Sequence, residues 1–121
     1  MRWFLRSKIH KATVTQAEVD YTGSITIDSE LLDKVGLLDG EKVLVSSITS
    51  GARLETYIMR GQPGSGVVCM NGAAAHLIKT GEIIIIMGFE LSDKQVHPKN
   101  ILVDNKNHFV RYLQNTSEEK A

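Results

Sequence analysis

Two neighbouring residues carry the most consequential chemistry in the chain. In Tyr21-Thr22-Gly23-Ser24, a serine hydroxyl stands one peptide bond from a glycine carbonyl. If that bond is held strained, Ser24 Oγ can attack the Gly23 carbonyl and convert the amide to an ester. Glycine suits the position because it accepts unusual backbone angles and leaves its carbonyl open to approach. Hydrogen-bond donors aimed at the developing oxyanion would lower the barrier. Elimination of the ester leaves dehydroalanine, and hydrolysis of that residue gives a pyruvoyl group and ammonia. Taken alone, the same pair is an ordinary turn between two strands. Spacing leaves both readings open.

Three further blocks present polar groups in a pattern. Lys8-Ile9-His10-Lys11-Ala12-Thr13-Val14-Thr15 sets Lys8 and His10 on one face of an extended segment. Gly51-Ala52-Arg53-Leu54-Glu55-Thr56-Tyr57 puts Arg53 and Tyr57 on one strand face and Thr56 on the other. A guanidinium can hold a carboxylate through two parallel hydrogen bonds. As isolated residues, these are ordinary surface side chains. Asn71-Gly72-Ala73-Ala74-Ala75-His76 opens as a turn signal. Its small side chains let backbone amides approach a small group, and Asn71 can donate to a carbonyl. Cys69 reads as a buried small hydrophobe. His76, His97 and His108 have no ligand spacing with one another or with Cys69, so no metal site is expected. Gly64-Ser65-Gly66 lacks the following lysine of a phosphate-binding loop and reads as a mobile connection near the site.

The elements that must position these residues are short and mostly extended. Leu5 to Thr15, Ser24 to Ile27, Val67 to Met70, Glu82 to Leu91, Ile101 to Asp104 and Phe109 to Leu113 read as strands. Glu41 to Thr49 and Ala52 to Arg60 read as a hairpin joined through Ser50-Gly51. Leu31, Leu32 and Val35 have helical spacing, with Asp28 or Ser29 as the cap and Gly36 as the stop. One or two helical turns fit around Ala73 to Ile78. Asn115 to Ala121 is a polar tail expected to fray. Roughly seven short strands and little helix point to a small barrel or sandwich.

Composition bounds the rest. A chain of 121 residues makes one domain, 1–121, and 42% hydrophobic residues suffice for a core. At this size, oligomerisation is a natural way to cover more apolar surface. Fourteen Lys and Arg balance fourteen Asp and Glu, which leaves no electrostatic footprint for nucleic acid or an anionic membrane. The longest apolar run, Ile83 to Met87, is far below the roughly 20 residues of a membrane span. The apolar stretch after Arg2 ends after three residues, so no secretory segment is expected. A single cysteine fits a reducing compartment, and a cytoplasmic location is the expectation.

Together, the four blocks, in this order and spacing, resemble the pyruvoyl-dependent aspartate decarboxylase family, over about Leu5 to Phe89. The resemblance thins beyond Phe89 to Pro98-Lys99-Asn100-Ile101 and Asp104. Trp3-Phe4, Ile25 and Ser46 depart from residues common in the family. The likeness implies a mainly β, double-psi β-barrel with short helices, assembled as a homotetramer with active sites between subunits. It implies autocatalytic cleavage into 1–23, the β chain, and 24–121, the α chain. The α chain would start with a pyruvoyl group derived from Ser24, which forms a Schiff base with L-aspartate. No pyridoxal phosphate and no metal would be needed. Tyr57 corresponds to the proton donor, and Arg53 and Lys8 to contacts for the two substrate carboxylates. Gly72, Ala73 and Ala74 line the substrate side, while Gly23, Thr56, His10 and Asn71 belong to maturation. The product would be β-alanine for pantothenate biosynthesis. A non-catalytic barrel of the swapped-hairpin type that binds DNA as a regulator is the alternative. A serine hydrolase using Ser24 and His10 lacks a placed acidic partner.

Overall fold

The computed structural model describes residues 1–114, so the tail expected to fray lies outside the described residues. The chain runs β1 (Arg2–Thr13), β2 (Gln16–Glu18), β3 (Ser24–Asp28), α1 (Ser29–Val35), β4 (Lys42–Ser47), β5 (Arg53–Gly61) and β6 (Val68–Asn71). A 3-10 helix (Gly72–His76) follows, then β7 (Ile83–Ser92), β8 (Lys99–Val103) and β9 (Phe109–Leu113). All nine strands belong to one sheet, in the order β2-β6-β3-β5-β4-β7-β1-β8-β9. Only Val14 and Thr15 separate β1, near one end of that order, from β2 at the other. Val14 N donates to Glu82 O and Thr15 N to Val68 O, so this link draws the sheet into a barrel.

The mainly β architecture expected from the sequence is what forms. β1 lies between antiparallel β7 and parallel β8, and β3 lies between antiparallel β6 and parallel β5. This repeated arrangement is what a double-psi barrel requires. Alternation sorts the side chains: Ile9, Ile25, Ile27, Val43, Val45, Ile58, Ile84 and Ile86 are all buried in the core. Among the described residues, no helix is long and apolar enough to cross a membrane.

The helix forms as its sequence signals. Asp28 accepts a hydrogen bond from Glu30 N at 2.9 Å, and Gly36 closes the helix at φ 74° while donating to Leu32 O. Leu31, Leu32 and Val35 are buried against the barrel. Three boundaries differ from expectation. β1 starts at Arg2 because Arg2, Trp3 and Phe4 pair with Ser92, Leu91 and Glu90. β2 was not anticipated. The β4–β5 connection is longer than the two-residue turn expected at Ser50-Gly51, because β4 stops at Ser47.

The Gly64-Ser65-Gly66 connection, expected to be mobile, is tied down. Asp28 Oδ1 accepts from Gly64 N at 3.0 Å and Asp28 Oδ2 from Gly66 N at 2.9 Å. The same carboxylate therefore caps α1 and shapes the loop. Asn107 completes the fastening. Its Oδ1 accepts from Thr13 N at 2.7 Å, and its Nδ2 donates to Thr13 O at 2.8 Å and Gly66 O at 2.7 Å. Asn107→Ala removes all three bonds and leaves buried backbone groups unpaired, a loss of roughly 2–4 kcal/mol. Thermal denaturation should show a drop of about 10 °C in Tm. A melting point unchanged from wild type would mean that the end of β1 and the loop are held by something else.

Candidate active site

The pairing of three strands decides what surrounds Ser24. β3 and β6 align Ser24 with Asn71 and Thr26 with Cys69, while β3 and β5 align Thr26 with Met59. Carried one step back, the β3–β5 register sets Ser24 beside Tyr57. Residues facing each other across a pair share a side of the sheet. Ser24, Thr26, Asn71, Cys69, Tyr57 and Met59 therefore lie on the outside of the barrel. Ile25, Ile27 and Ile58 point the other way into the core. All of the outer group except Tyr57 border a cavity of about 420 Å³, lined also by Gln16, Tyr21 and Thr22, whereas Tyr57 and Thr56 line a separate pocket with Lys42 and Glu55.

Ser24 is fully buried at this cavity. Asn71 Nδ2 donates to Ser24 Oγ at 2.9 Å and to Thr26 Oγ1 at 3.0 Å. The Ser24 hydroxyl itself points at Thr22 O, 3.4 Å away. Cys69 is buried, as expected, but its thiol is not merely hydrophobic: it donates to Asn71 Oδ1 at 3.2 Å. Burial, reinforced by the charge of Glu18, pushes the Cys69 thiol up, so it stays protonated at neutral pH. Thr26, Met59 and Gln16 were missed by sequence reasoning. A two-residue step from Ser24 along β3 points to Thr26, but Gln16 and Met59 come from long-range pairing that the local sequence does not show.

The glycines divide the work differently from expectation. Gly23 does not adopt a positive φ, and a Cβ placed there would meet only Asn71 O, at 3.9 Å. The backbone constraint falls on Gly72 instead, at φ +69°. A Cβ on Gly72 would stand 2.6 Å from Gly23 Cα, 2.7 Å from Gly23 N and 2.8 Å from Tyr21 O. The backbone of the Asn71-Gly72 turn thus presses directly on the residue preceding Ser24. Ala73 is exposed and Ala74 half-buried in the 3-10 helix that follows.

Arg53, Glu55 and Tyr57 share the exposed face of β5, with Glu55 paired to Lys42 at 3.0 Å. Thr56 lies on the opposite face, as alternation requires. The β3–β5 register, continued to the first residue of β3, sets Ser24 level with Tyr57, while Gly23 precedes the strand. Lys8 and His10 do share one face of β1, alternating with buried Ser7 and Ile9. Neither is among the residues that line the cavity at Ser24. β1 stands four positions from β3 in the sheet, and outward side chains on a curved wall diverge.

Comparison with known proteins identifies the family. The sequence model described as aspartate decarboxylase matches residues 1–110. An aspartate 1-decarboxylase of Corynebacterium efficiens is 50% identical, the alignment covering 91% of this chain and 84% of that protein. The aspartate 1-decarboxylase of Listeria monocytogenes is 48% identical over 99% of this chain and 95% of that protein. That of Caldicellulosiruptor saccharolyticus is 48% identical over 94% and 91%. Among solved structures, a rationally designed protein, mkDPBB_sym_86, covers 65% of this chain and 91% of its own, with 16% identity and a TM-score of 0.47. With the family's sequence pattern spanning nearly the whole chain and relatives near half identity, the chain belongs to the aspartate decarboxylase family, a family of carbon–carbon lyases.

Proposed function

We propose that the chain removes the α-carboxylate of L-aspartate to give β-alanine and carbon dioxide, supplying pantothenate biosynthesis. The catalytic carbonyl is a pyruvoyl group made from Ser24. The observation that carries this reading is the burial of the Ser24 hydroxyl at a cavity, bonded to Asn71, with Gly72 pressed against Gly23. The DNA-binding alternative leaves that arrangement without a task.

Maturation begins when Ser24 Oγ bonds to the Gly23 carbonyl carbon and the C–N bond breaks, its nitrogen taking the hydroxyl proton. Asn71, which already donates to Ser24 Oγ, and Thr56 are the donors assigned to the transient oxyanion. Loss of the Ser24 α-proton and departure of the Gly23 carboxylate leave dehydroalanine. Its imine form takes up water and releases ammonia. The site fits the product: residue 24 keeps its place beside the Asn71 amide, which can donate to a ketone oxygen there. The small Gly72, Ala73 and Ala74 leave room for substrate. Once formed, the pyruvoyl carbonyl provides an electron-accepting centre for the substrate amine.

Arg53 orients a substrate carboxylate from the same strand face that carries Tyr57, the proton donor to the former α-carbon. Lys8 and His10 are not among the residues that line the cavity at Ser24, which supports active sites shared between the subunits of a homotetramer. A neighbouring copy can then bring its β1 to this cavity.

Denaturing mass spectrometry of the purified chain tests the reading. Two fragments, 1–23 and 24–121, are expected, the second without a free amino group, and the sample should form β-alanine from aspartate. A chain that stays intact after prolonged warming, yet decarboxylates aspartate, would overturn the pyruvoyl assignment.

A further inference from the structure

The reactive serine is held indirectly. Ser24 Oγ receives one N–H of Asn71 Nδ2, and the second N–H goes to Thr26 Oγ1 at 3.0 Å. The other end of the amide, Oδ1, accepts from the Cys69 thiol at 3.2 Å. An amide can be turned end for end at little cost where its neighbours are hydroxyls, because a hydroxyl both donates and accepts. A protonated thiol is a donor first, so it favours the oxygen end of the amide. Thr26 then fixes the nitrogen end by accepting on the side next to Ser24.

From this we infer that Thr26 and Cys69 are positioning residues for self-cleavage, which together orient the Asn71 amide so that Nδ2 faces Ser24 Oγ. The inference rests on the pyruvoyl reading above and extends it to two side chains that touch neither the scissile bond nor Ser24. Thr26 sits two residues along β3 from Ser24, on the same face, so the strand itself sets its distance from the nucleophile. When Ser24 Oγ leaves Asn71 to attack Gly23, one N–H loses its partner. An amide anchored only by Ser24 would be free to swing with it. Anchored at Thr26 and Cys69, it stays in place, with that N–H available to the developing oxyanion.

The test follows the appearance of the 24–121 fragment by denaturing mass spectrometry in freshly purified precursor. Thr26→Val keeps the β-branched shape but cannot accept, and cleavage should slow about fivefold to tenfold, the effect of one lost hydrogen bond. Thr26→Ser restores the acceptor and should return the rate to within about twofold of wild type. If Thr26→Val fails to fold, judged by circular dichroism, Cys69→Ala with Cys69→Ser makes the same comparison from the other end of the amide. Thr26→Val cleaving at the wild-type rate would overturn the inference, as would Thr26→Ser being as slow as Thr26→Val. Wild-type chain that never cleaves would overturn the pyruvoyl reading itself, so the two failures are distinguishable.

Discussion

Gly72→Ala should leave the Gly23–Ser24 bond uncut and abolish β-alanine formation. The new Cβ would stand 2.6–2.8 Å from three backbone atoms, Gly23 Cα, Gly23 N and Tyr21 O. None of these is a flexible side-chain end that can move aside. The residue would also hold φ +69°, which costs about 1–2 kcal/mol for a side-chain-bearing residue. The Tyr21–Gly23 segment must therefore shift relative to Asn71. Bond formation between Ser24 Oγ and the Gly23 carbonyl depends on close alignment, and a 1 Å misplacement costs on the order of 100-fold. The core lies on the opposite face of β3 and is untouched, so the chain should still fold. Cleavage should slow at least about 100-fold in the mass assay. Gly23→Ala is the control for folding, since its Cβ meets nothing nearer than 3.9 Å and it should melt like wild type. Wild-type cleavage by Gly72→Ala would show that the Tyr21–Gly23 segment yields freely.

Tyr57→Phe separates maturation from turnover. Tyr57 lies on the exposed face of β5 with Arg53, and Thr56 on the opposite face. Making the pyruvoyl group gives Tyr57 no proton to move. Turnover does: once carbon dioxide leaves, the former α-carbon is strongly basic and must be protonated. A positioned phenol can deliver a proton to such a carbon. Tyr57→Phe should cleave like wild type yet lose about 100-fold or more in kcat, the usual contribution of a positioned acid. Both numbers come from one preparation, fragment mass for maturation and β-alanine release for turnover. Turnover at the wild-type rate would place the proton donor elsewhere.

What the sequence disclosed, and what it hid, follows the range of the interactions involved. Alternation within a strand is local, so the shared faces of Lys8 with His10 and of Arg53 with Tyr57 were legible from spacing. The helix was legible because Asp28, Leu31, Leu32, Val35 and Gly36 signal it within nine residues. β2 was not, since Gln16, Ala17 and Glu18 have no strand-like pattern and are extended only because β6 pairs with them. The fastening roles of Asp28 and Asn107 were hidden for the same reason. Their partners lie 36 to 38 and 41 to 94 residues away. At the site, the four motif blocks named Ser24, Asn71 and Gly72 but not what holds them. The contact of Gly72 with Gly23 comes from the β3–β6 pairing, and no local pattern announces it.

On the proposed reading, the place of β1 in the sheet would give self-cleavage an arrow in time. β1 is hydrogen-bonded on both sides, to β7 and to β8, and β2 is laced to β6. A cut after Gly23 severs this ribbon from the rest of the polypeptide without loosening it, so the nicked barrel stays whole. Unfolding the matured enzyme is another matter. A one-piece precursor finds its partners within itself, but two pieces must meet again in solution, at a rate set by their concentration. The molecule would thus assemble easily once, as a precursor, and after maturation would recover from denaturation only as a second-order reaction between its two fragments.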